Sequence, residues 1–138
     1  MFLLCLLFQN NRKTAKNKDF NRVEQNMREQ EIEAYMRKEL TGAGCLFLKW
    51  VSPGNAGVPD RIAILPGGEV VFLELKTDDG RPTPVQQWWQ REIRKRGCIV
   101  RVVRGMEEAE SMVRVLRSMI PRAPEDATAL ADPWRDEK

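Results

Sequence analysis

The sequence predicts an α/β fold in which helices flank a small mixed β-sheet, in the order helix, three strands, helix, strand, helix. Three observations predict this fold. Apolar residues recur at helical spacing in the first and last of three helical segments, short apolar runs rich in β-branched residues lie between the helices, and turn residues separate two of those runs. A chain of 138 residues is long enough to form one such domain with its own core.

The first half of the domain is predicted to be one helix followed by three strands. The helix covers residues 28–40, where apolar residues recur three, four and eight positions after Ile32, and glycines follow it. The strands are predicted at residues 45–51, 61–65 and 70–76. A Pro-Gly-Gly-Glu turn joins the second strand to the third, so we expect these two strands to form a hairpin.

The second half is predicted to be a helix, a strand and a last helix. Thr83, Pro84 and Gln86 have the pattern of a capping box with proline at the first helical position, so the second helix begins there. An apolar run at residues 98–103 follows this helix, and the strand–helix–strand order favours a parallel, right-handed crossover. The last helix is predicted at residues 106–120, with acidic residues in its first turn.

The two ends of the chain lack this patterning. Residues 1–26 begin with a short apolar run and continue as a polar, basic stretch. Because no basic segment precedes the run and no small-residue cleavage site follows it, we do not expect a signal peptide. We expect residues 1–26 to be a disordered or adventitious extension, residues 27–120 to form the domain, and residues 121–138 to be a flexible tail.

The composition excludes several kinds of chemistry. The chain has no histidine, which excludes Ser/His/Asp and Cys/His nucleophile systems, histidine zinc sites and histidine general bases. Its three cysteines are far apart in sequence, so we expect neither a disulfide framework nor a thiolate zinc site, and a reducing, cytoplasmic location. No apolar run is long enough to span a membrane, so we expect no membrane partner.

Polar residues with complementary chemistry lie on the two strands of the predicted hairpin. Glu74 and Lys76 share one face of their strand because side chains alternate, and they could converge with Asp60 where the strands pair. Mg²⁺ prefers oxygen ligands and takes one or two carboxylates, and the Leu75 carbonyl offers a further ligand. Lys76 could orient an attacking water, so this set predicts phosphodiester hydrolysis that depends on Mg²⁺ or Mn²⁺.

These residues resemble the signature of the PD-(D/E)XK nucleases. Thirteen residues separate Asp60 from Glu74, and the Gly-Val-Pro-Asp-Arg, Glu-Leu-Lys and Thr-Pro-Val-Gln sequences at 57–61, 74–76 and 83–86 most resemble the VRR-NUC branch. The resemblance covers about residues 27–116 and implies the PD-(D/E)XK core with the element order αβββαβα. Stand-alone members occur in phages and bacteria and are similar to Holliday-junction resolvases. The resemblance therefore implies a DNA endonuclease for branched, flapped or Holliday-junction DNA, acting in DNA repair as a homodimer.

The resemblance also implies two further site residues. The family places a glutamate of the first helix near the metal, and its spacing favours Glu29 as this catalytic residue and metal ligand. Glu33 lies one turn further on the same face and remains an alternative, whereas Glu31 points elsewhere. The family often has a glutamine near the active site, which assigns Gln86 to the catalytic set, although the capping box alone would explain it.

Several residues that flank the carboxylates would suit contacts with DNA phosphates. They are Lys49, Ser52, Arg61 and Arg81. Two other hypotheses remain open at this point: a non-catalytic DNA-binding module on the same fold, and an adaptor that binds a partner protein. The presence of Asp60, Glu74 and Lys76 argues against the first, and in the second the carboxylates would be incidental. Taken singly, Asp60 could be a turn residue, and Glu74 and Lys76 could be the solvent face of an amphipathic strand.

Overall fold

The computed structural model of the chain confirms the predicted α/β fold. It describes residues 2–122, with side chains from residue 18 onward. Within this part of the chain the helices are α1 (Phe2–Gly42), α2 (Pro84–Lys95) and α3 (Gly105–Ser118). The strands are β1 (Leu46–Lys49), β2 (Arg61–Ile64), β3 (Val70–Lys76) and β4 (Ile99–Arg104).

The sheet has the strand order β1-β2-β3-β4. The first two pairs, β1–β2 and β2–β3, are antiparallel, and β3 and β4 are parallel and connected through α2. This arrangement confirms both the predicted hairpin and the predicted parallel crossover. In the register, Arg61 pairs with Leu73, and Lys76 pairs with Arg104 on the neighbouring strand.

One face of the sheet carries the hydrophobic core. The core residues of β3 and β4 that point to this face pack against one side of α1 and one side of α3. The strand residues of this core include Val71, Leu73, Leu75 and Val103. The helix residues that pack against them include Ile32, Met36, Leu40, Ala109, Val113 and Leu116. Because side chains alternate along a strand, Glu74 and Lys76 point to the opposite face, and α2 packs against β4 on that side.

Helix α1 is longer than the sequence predicts. It contains the expected segment 28–40 but begins at Phe2, because no glycine or proline interrupts the chain before Gly42. Residues 18–26 are therefore helical where we expected disorder. Residues 18–28 are all exposed, and Ile32 is the first buried side chain, so packing onto the sheet begins near the predicted start of the domain.

Two further findings concern the C-terminal end of the chain and the length and hydrophobicity of its helices. Residues 123–138, most of the predicted flexible tail, lie outside the described residues. Among the helices that the structure describes, none is both long enough and apolar enough to cross a bilayer.

Candidate active site

The antiparallel pairing of β2 and β3 brings the two predicted carboxylates together. Asp60 directly precedes β2, and since Arg61 pairs with Leu73, the register continues to place Asp60 beside Glu74. The backbone N–H of Leu75 donates a hydrogen bond to Asp60 Oδ1 at 3.3 Å. The carboxylate of Asp60 is thus held against the end of β3, which carries Glu74 and Lys76.

Glu74 is buried, with only 3% of its surface exposed. Its Oε1 accepts a hydrogen bond from Gln86 Nε2 at 2.8 Å and lies 3.2 Å from Lys76 Nζ. Its Oε2 is also buried and has no hydrogen-bond partner among the described residues. Burial and the neighbouring charge of Asp60 raise the pKa of Glu74 to about 7, and burial likewise raises the pKa of Asp60. The protein therefore disfavours full ionisation of both carboxylates unless a further positive charge is present.

This donor set fits a hard divalent cation. Asp60 and Glu74 supply carboxylate oxygens, one of them buried without a partner, and Leu75 lines the same cleft as Asp60. Among the described residues, no group of three or more Asp, Glu, Cys or His side chains is placed to hold a metal. The predicted ligand Glu29 therefore does not complete a three-carboxylate cluster. Two carboxylates still suit Mg²⁺, which usually keeps several waters and substrate oxygens.

A polar cleft of about 260 Å³ opens beside Asp60, between the end of the sheet and α1. Its lining consists of Asn26, Glu29, Gln30, Glu33, Lys49, Asp60, Arg61 and Leu75. Glu33 accepts hydrogen bonds from Arg61 and from Arg37, the latter at 2.8 Å. Although partial burial opposes it, these two guanidinium groups hold the pKa of Glu33 below its usual value. Both first-helix glutamates considered from the sequence thus line this cleft, and Glu33 is engaged by two arginines.

The burial and the contacts of Arg61 differ from those expected of a residue that contacts a phosphate. Its side chain is only 8% exposed, because Arg61 pairs with Leu73 and shares the face of the sheet that packs on α1. It donates to Glu33 and, at 2.8 Å, to the backbone carbonyl of Asp60. Arg61 therefore ties α1 to the start of β2. Sequence reasoning missed this ion pair because Glu33 lies 28 positions earlier in the chain.

Gln86 completes the capping box and also contacts Glu74. Its backbone N–H donates to Thr83 Oγ1 at 3.3 Å and its Oε1 accepts from the Thr83 N–H at 2.8 Å, which confirms the capping box. Its Nε2 is the group that donates to Glu74. One side chain thus starts α2 and holds a carboxylate of the site.

The loop before Asp60 is docked on the beginning of α2. Gly57 has φ +88°, and a Cβ at this position would lie 2.8 Å from Val85 Cγ1 and 3.2 Å from the Gln86 nitrogen. Trp89 Nε1 donates to the carbonyl of Ala56 at 2.9 Å. Position 57 therefore requires glycine for two reasons, the left-handed backbone and the close approach to α2. The sequence motif alone does not show the close approach to α2.

The remaining predicted DNA contacts occupy different places. Lys49 is exposed and lines the polar cleft beside Asp60. Ser52 is half-buried and accepts a hydrogen bond from Asn55 Nδ2 at 2.9 Å within its own loop. Arg81 does not line the polar cleft but a second cleft, beside α2. The structure thus brings Lys49 to the carboxylates and places Arg81 elsewhere.

Comparisons with known proteins found similar sequences and structures. No family model matches the sequence. The chain is 43% identical over 60 residues to the curated "Putative nuclease p44" of Acyrthosiphon pisum secondary endosymbiont phage 1. That match covers 44% of this chain and 64% of the phage protein, just under two thirds of its length.

Two solved structures have the same fold. One, described as "VRR_NUC domain", is 30% identical with a TM-score of 0.60, and the match covers 63% of this chain and 95% of that chain. The other, "VRR_NUC domain protein", is 16% identical with a TM-score of 0.52 over 65% of this chain and 88% of that one, a similarity that shows the fold alone. Since the first is 30% identical and covered almost completely, the chain belongs to the VRR-NUC domain family.

Proposed function

We propose that this protein is a DNA endonuclease that hydrolyses phosphodiester bonds with Mg²⁺ or Mn²⁺ held by Asp60 and Glu74. The observation that carries the proposal is the buried, unpartnered Oε2 of Glu74 next to the carboxylate of Asp60. A buried carboxylate oxygen without a partner costs stability, which is expected where an ion completes the site. Membership of the VRR-NUC family and the phage relative's description as a nuclease support the same activity.

The residues of the chain have distinct tasks in this activity. When bound, a divalent ion would polarise a phosphoryl oxygen and lower the pKa of an attacking water. Lys76 Nζ, 3.2 Å from Glu74 Oε1, is placed to orient that water or to neutralise charge that develops on the phosphate. The Leu75 N–H holds Asp60, and Gln86 holds Glu74, so both carboxylates are fixed before the substrate arrives.

We propose that the substrate is branched DNA, such as a flap or a Holliday junction, and that the protein acts as a homodimer in the cytoplasm of a bacterial or phage-infected cell. The support is the resemblance to stand-alone VRR-NUC proteins and to junction resolvases, which is an analogy of fold and motif. Lys49, exposed beside the carboxylates, suits a contact with a phosphate of any such DNA.

The test is a cleavage panel with linear, flapped, forked and four-way DNA, each with Mg²⁺, Mn²⁺ or EDTA. We expect the wild type to cut with a divalent ion and not in EDTA, and both Asp60→Asn and Lys76→Ala to lose cleavage. Lys38→Ala is the matched control, because Lys38 is an exposed lysine of α1 outside the polar cleft. Unchanged cleavage by Asp60→Asn would contradict the proposal. Junction binding without cleavage in either metal would instead favour the non-catalytic DNA-binding module.

A further inference from the structure

A second cleft, with a volume of about 400 Å³, lies between α2 and β4 on the side of the sheet that faces away from the hydrophobic core. We call it the arginine cleft. Its basic residues are Arg81, Arg94 and Arg104, and among the described residues that line it none is acidic. Gln87 and Gln90 of α2 complete its polar lining.

The buried part of the arginine cleft contains donors without acceptors. Gln90 is only 5% exposed, and its Nε2 has no hydrogen-bond partner in the described part of the chain. The buried Nε of Arg104 also has none there. A buried donor left unpaired destabilises the folded state. Two such donors in one cleft indicate that a ligand rich in acceptor atoms completes it.

The arginine side chains keep donors available for such a ligand. Arg94 uses Nη2 on the carbonyl of Val100 at 3.1 Å, and Nη1 of Arg104 lies 4.0 Å from Glu108 Oε1. Arg81 is exposed at the rim. A guanidinium has five N–H donors in a planar fork that matches a phosphate in two-point contact. Positive charge together with unpaired donors selects an anion with several oxygens.

The arginine cleft is next to the proposed active site. Arg104 pairs with Lys76 in the parallel register of β3 and β4, and paired residues of adjacent strands point to the same face. Neighbouring strands are about 4.8 Å apart, so the base of Arg104 is one strand from that of Lys76. Helix α2 also connects the two places, since Gln86 contacts Glu74 while Gln90 lines the cleft.

We propose that the arginine cleft binds a second phosphate of the same DNA strand, close to the phosphate at the carboxylates, through Arg81, Arg94, Arg104 and Gln90. The choice of DNA as the source of the phosphate rests on the proposed function, whereas the anion chemistry rests on the cleft residues themselves. A strand held at both places would have its reacting phosphate fixed relative to Asp60 and Glu74.

The test measures DNA binding by the full chain in EDTA, so that cleavage does not enter the readout. Fluorescence anisotropy is recorded over a range of salt concentrations with single-stranded and four-way DNA that lack terminal phosphates. We expect Arg81→Gln and Arg94→Gln each to weaken binding and to lower the slope of log affinity against log salt by about one. Arg114→Gln is the matched control, because Arg114 is an exposed arginine of α3 on the other side of the sheet.

The substitution Gln90→Leu distinguishes an effect on DNA binding from an effect on folding. The substitution keeps the approximate volume but removes the unpaired donor, so we expect weaker DNA binding with an unchanged or higher Tm. Wild-type salt slopes in both arginine variants would overturn the proposal. A second arm adds inorganic phosphate: if phosphate raises the Tm through the cleft arginines while their variants bind DNA normally, the cleft serves free phosphate and the assignment to DNA fails. A chain that binds as expected but cuts no DNA would contradict the proposed function and leave the cleft assignment standing.

Discussion

The face of the sheet toward α1 and α3 is filled mostly by apolar side chains, with the buried Arg61 as a charged exception, whereas the face toward α2 buries Glu74 and Gln90. On the first face the core side chains, Leu73 and Leu116 among them, are almost completely buried and interlock in one cluster. On the second face, Glu74 and Gln90 are nearly as buried, yet each leaves a polar atom without a partner among the described residues. Packing explains the apolar cluster of the first face, and the proposed ligand sites explain the unpartnered atoms of Glu74 and Gln90 on the second.

The largest effect is expected for Glu74→Gln, which keeps the shape of the buried side chain and removes its charge. Because Glu74 is a ligand of the proposed metal, its loss would remove several kcal/mol of transition-state stabilisation, and we expect cleavage to fall about a thousandfold. Cleavage of flapped or four-way DNA under single-turnover conditions measures this loss. Glu31→Gln, an exposed glutamate of α1, is the control and should cut at the wild-type rate.

The same substitution should raise the stability of the metal-free protein. Because burial and Asp60 raise the pKa of Glu74 to about 7, the folded state loses stability to the unfolded state as pH rises from about 4.5 toward 7. In EDTA near pH 8 we expect Glu74→Gln to melt a few degrees above the wild type, with the difference vanishing at about pH 4. An equal or lower Tm near pH 8 would contradict the view that this face retains a charge at the expense of stability.

Leu116→Ala is the corresponding change on the apolar face. Leu116 is 1% exposed in the core, so truncation should lower the free energy of unfolding by about 2–5 kcal/mol. Its neighbour Val115 is 53% exposed, and Val115→Ala should cost less than about 0.5 kcal/mol. Denaturant unfolding measures both variants. Because Leu116 is on the opposite face from Lys76, folded Leu116→Ala should cleave at close to the wild-type rate, and a specific loss of cleavage would weaken the division between the faces.

Gly57→Ala tests the contact between the loop and α2. The left-handed backbone and the approach of 2.8 Å to Val85 should together destabilise the protein by about 1–3 kcal/mol and displace the neighbouring Asp60, which lowers cleavage. Gly54→Ala is a close control, since Gly54 has φ +79° but nothing within 4 Å of its added Cβ. Thermal unfolding and cleavage of both variants separate backbone strain from the contact. Equal losses in the two variants would show that the contact does not matter.

A small change in stability is expected for Gln86→Ala. Loss of half of a capping box costs about 1 kcal/mol, while release of Glu74 from Gln86 Nε2 should lower cleavage by about 10-fold to 100-fold. Thr83→Ala removes the other half of the cap and leaves the hydrogen bond to Glu74, so it should lose similar stability but little cleavage. Chemical denaturation and initial cleavage rates compare the two. Equal cleavage rates in both variants would show that Gln86 acts only as part of the helix cap.

The elements of this fold and the pairing of its carboxylates could be predicted because they depend on local patterns. The hairpin turn, the capping box and the alternation around Glu74 are all readable within a few residues. The spacing between Asp60 and Glu74 then places both side chains at one end of a hairpin whose register follows from the turn.

The features that could not be predicted depend on residues far apart in the chain. The ion pair of Arg61 with Glu33 joins a strand to α1, and the close approach of Gly57 to Val85 joins a loop to α2. The arginine cleft assembles residues of a loop, α2 and β4, so Arg81 alone resembles any exposed arginine. The length of helix α1 differs from the prediction for another reason, because no helix-breaking glycine or proline interrupts the chain before Gly42.

The hydrogen bonds of Gln86 have a mechanical consequence. Its amide oxygen belongs to the first turn of α2 and its amide nitrogen to Glu74, so a rotation of the helix about its axis would pull on the carboxylate. The same helix presents Gln90 and Arg94 to the arginine cleft. A DNA strand long enough to engage the arginine cleft would therefore hold Glu74 in position while that DNA strand is being cut. A shorter DNA strand would leave the carboxylate of Glu74 less restrained. The length of DNA beyond the cut would therefore set the rate of cleavage as well as the affinity.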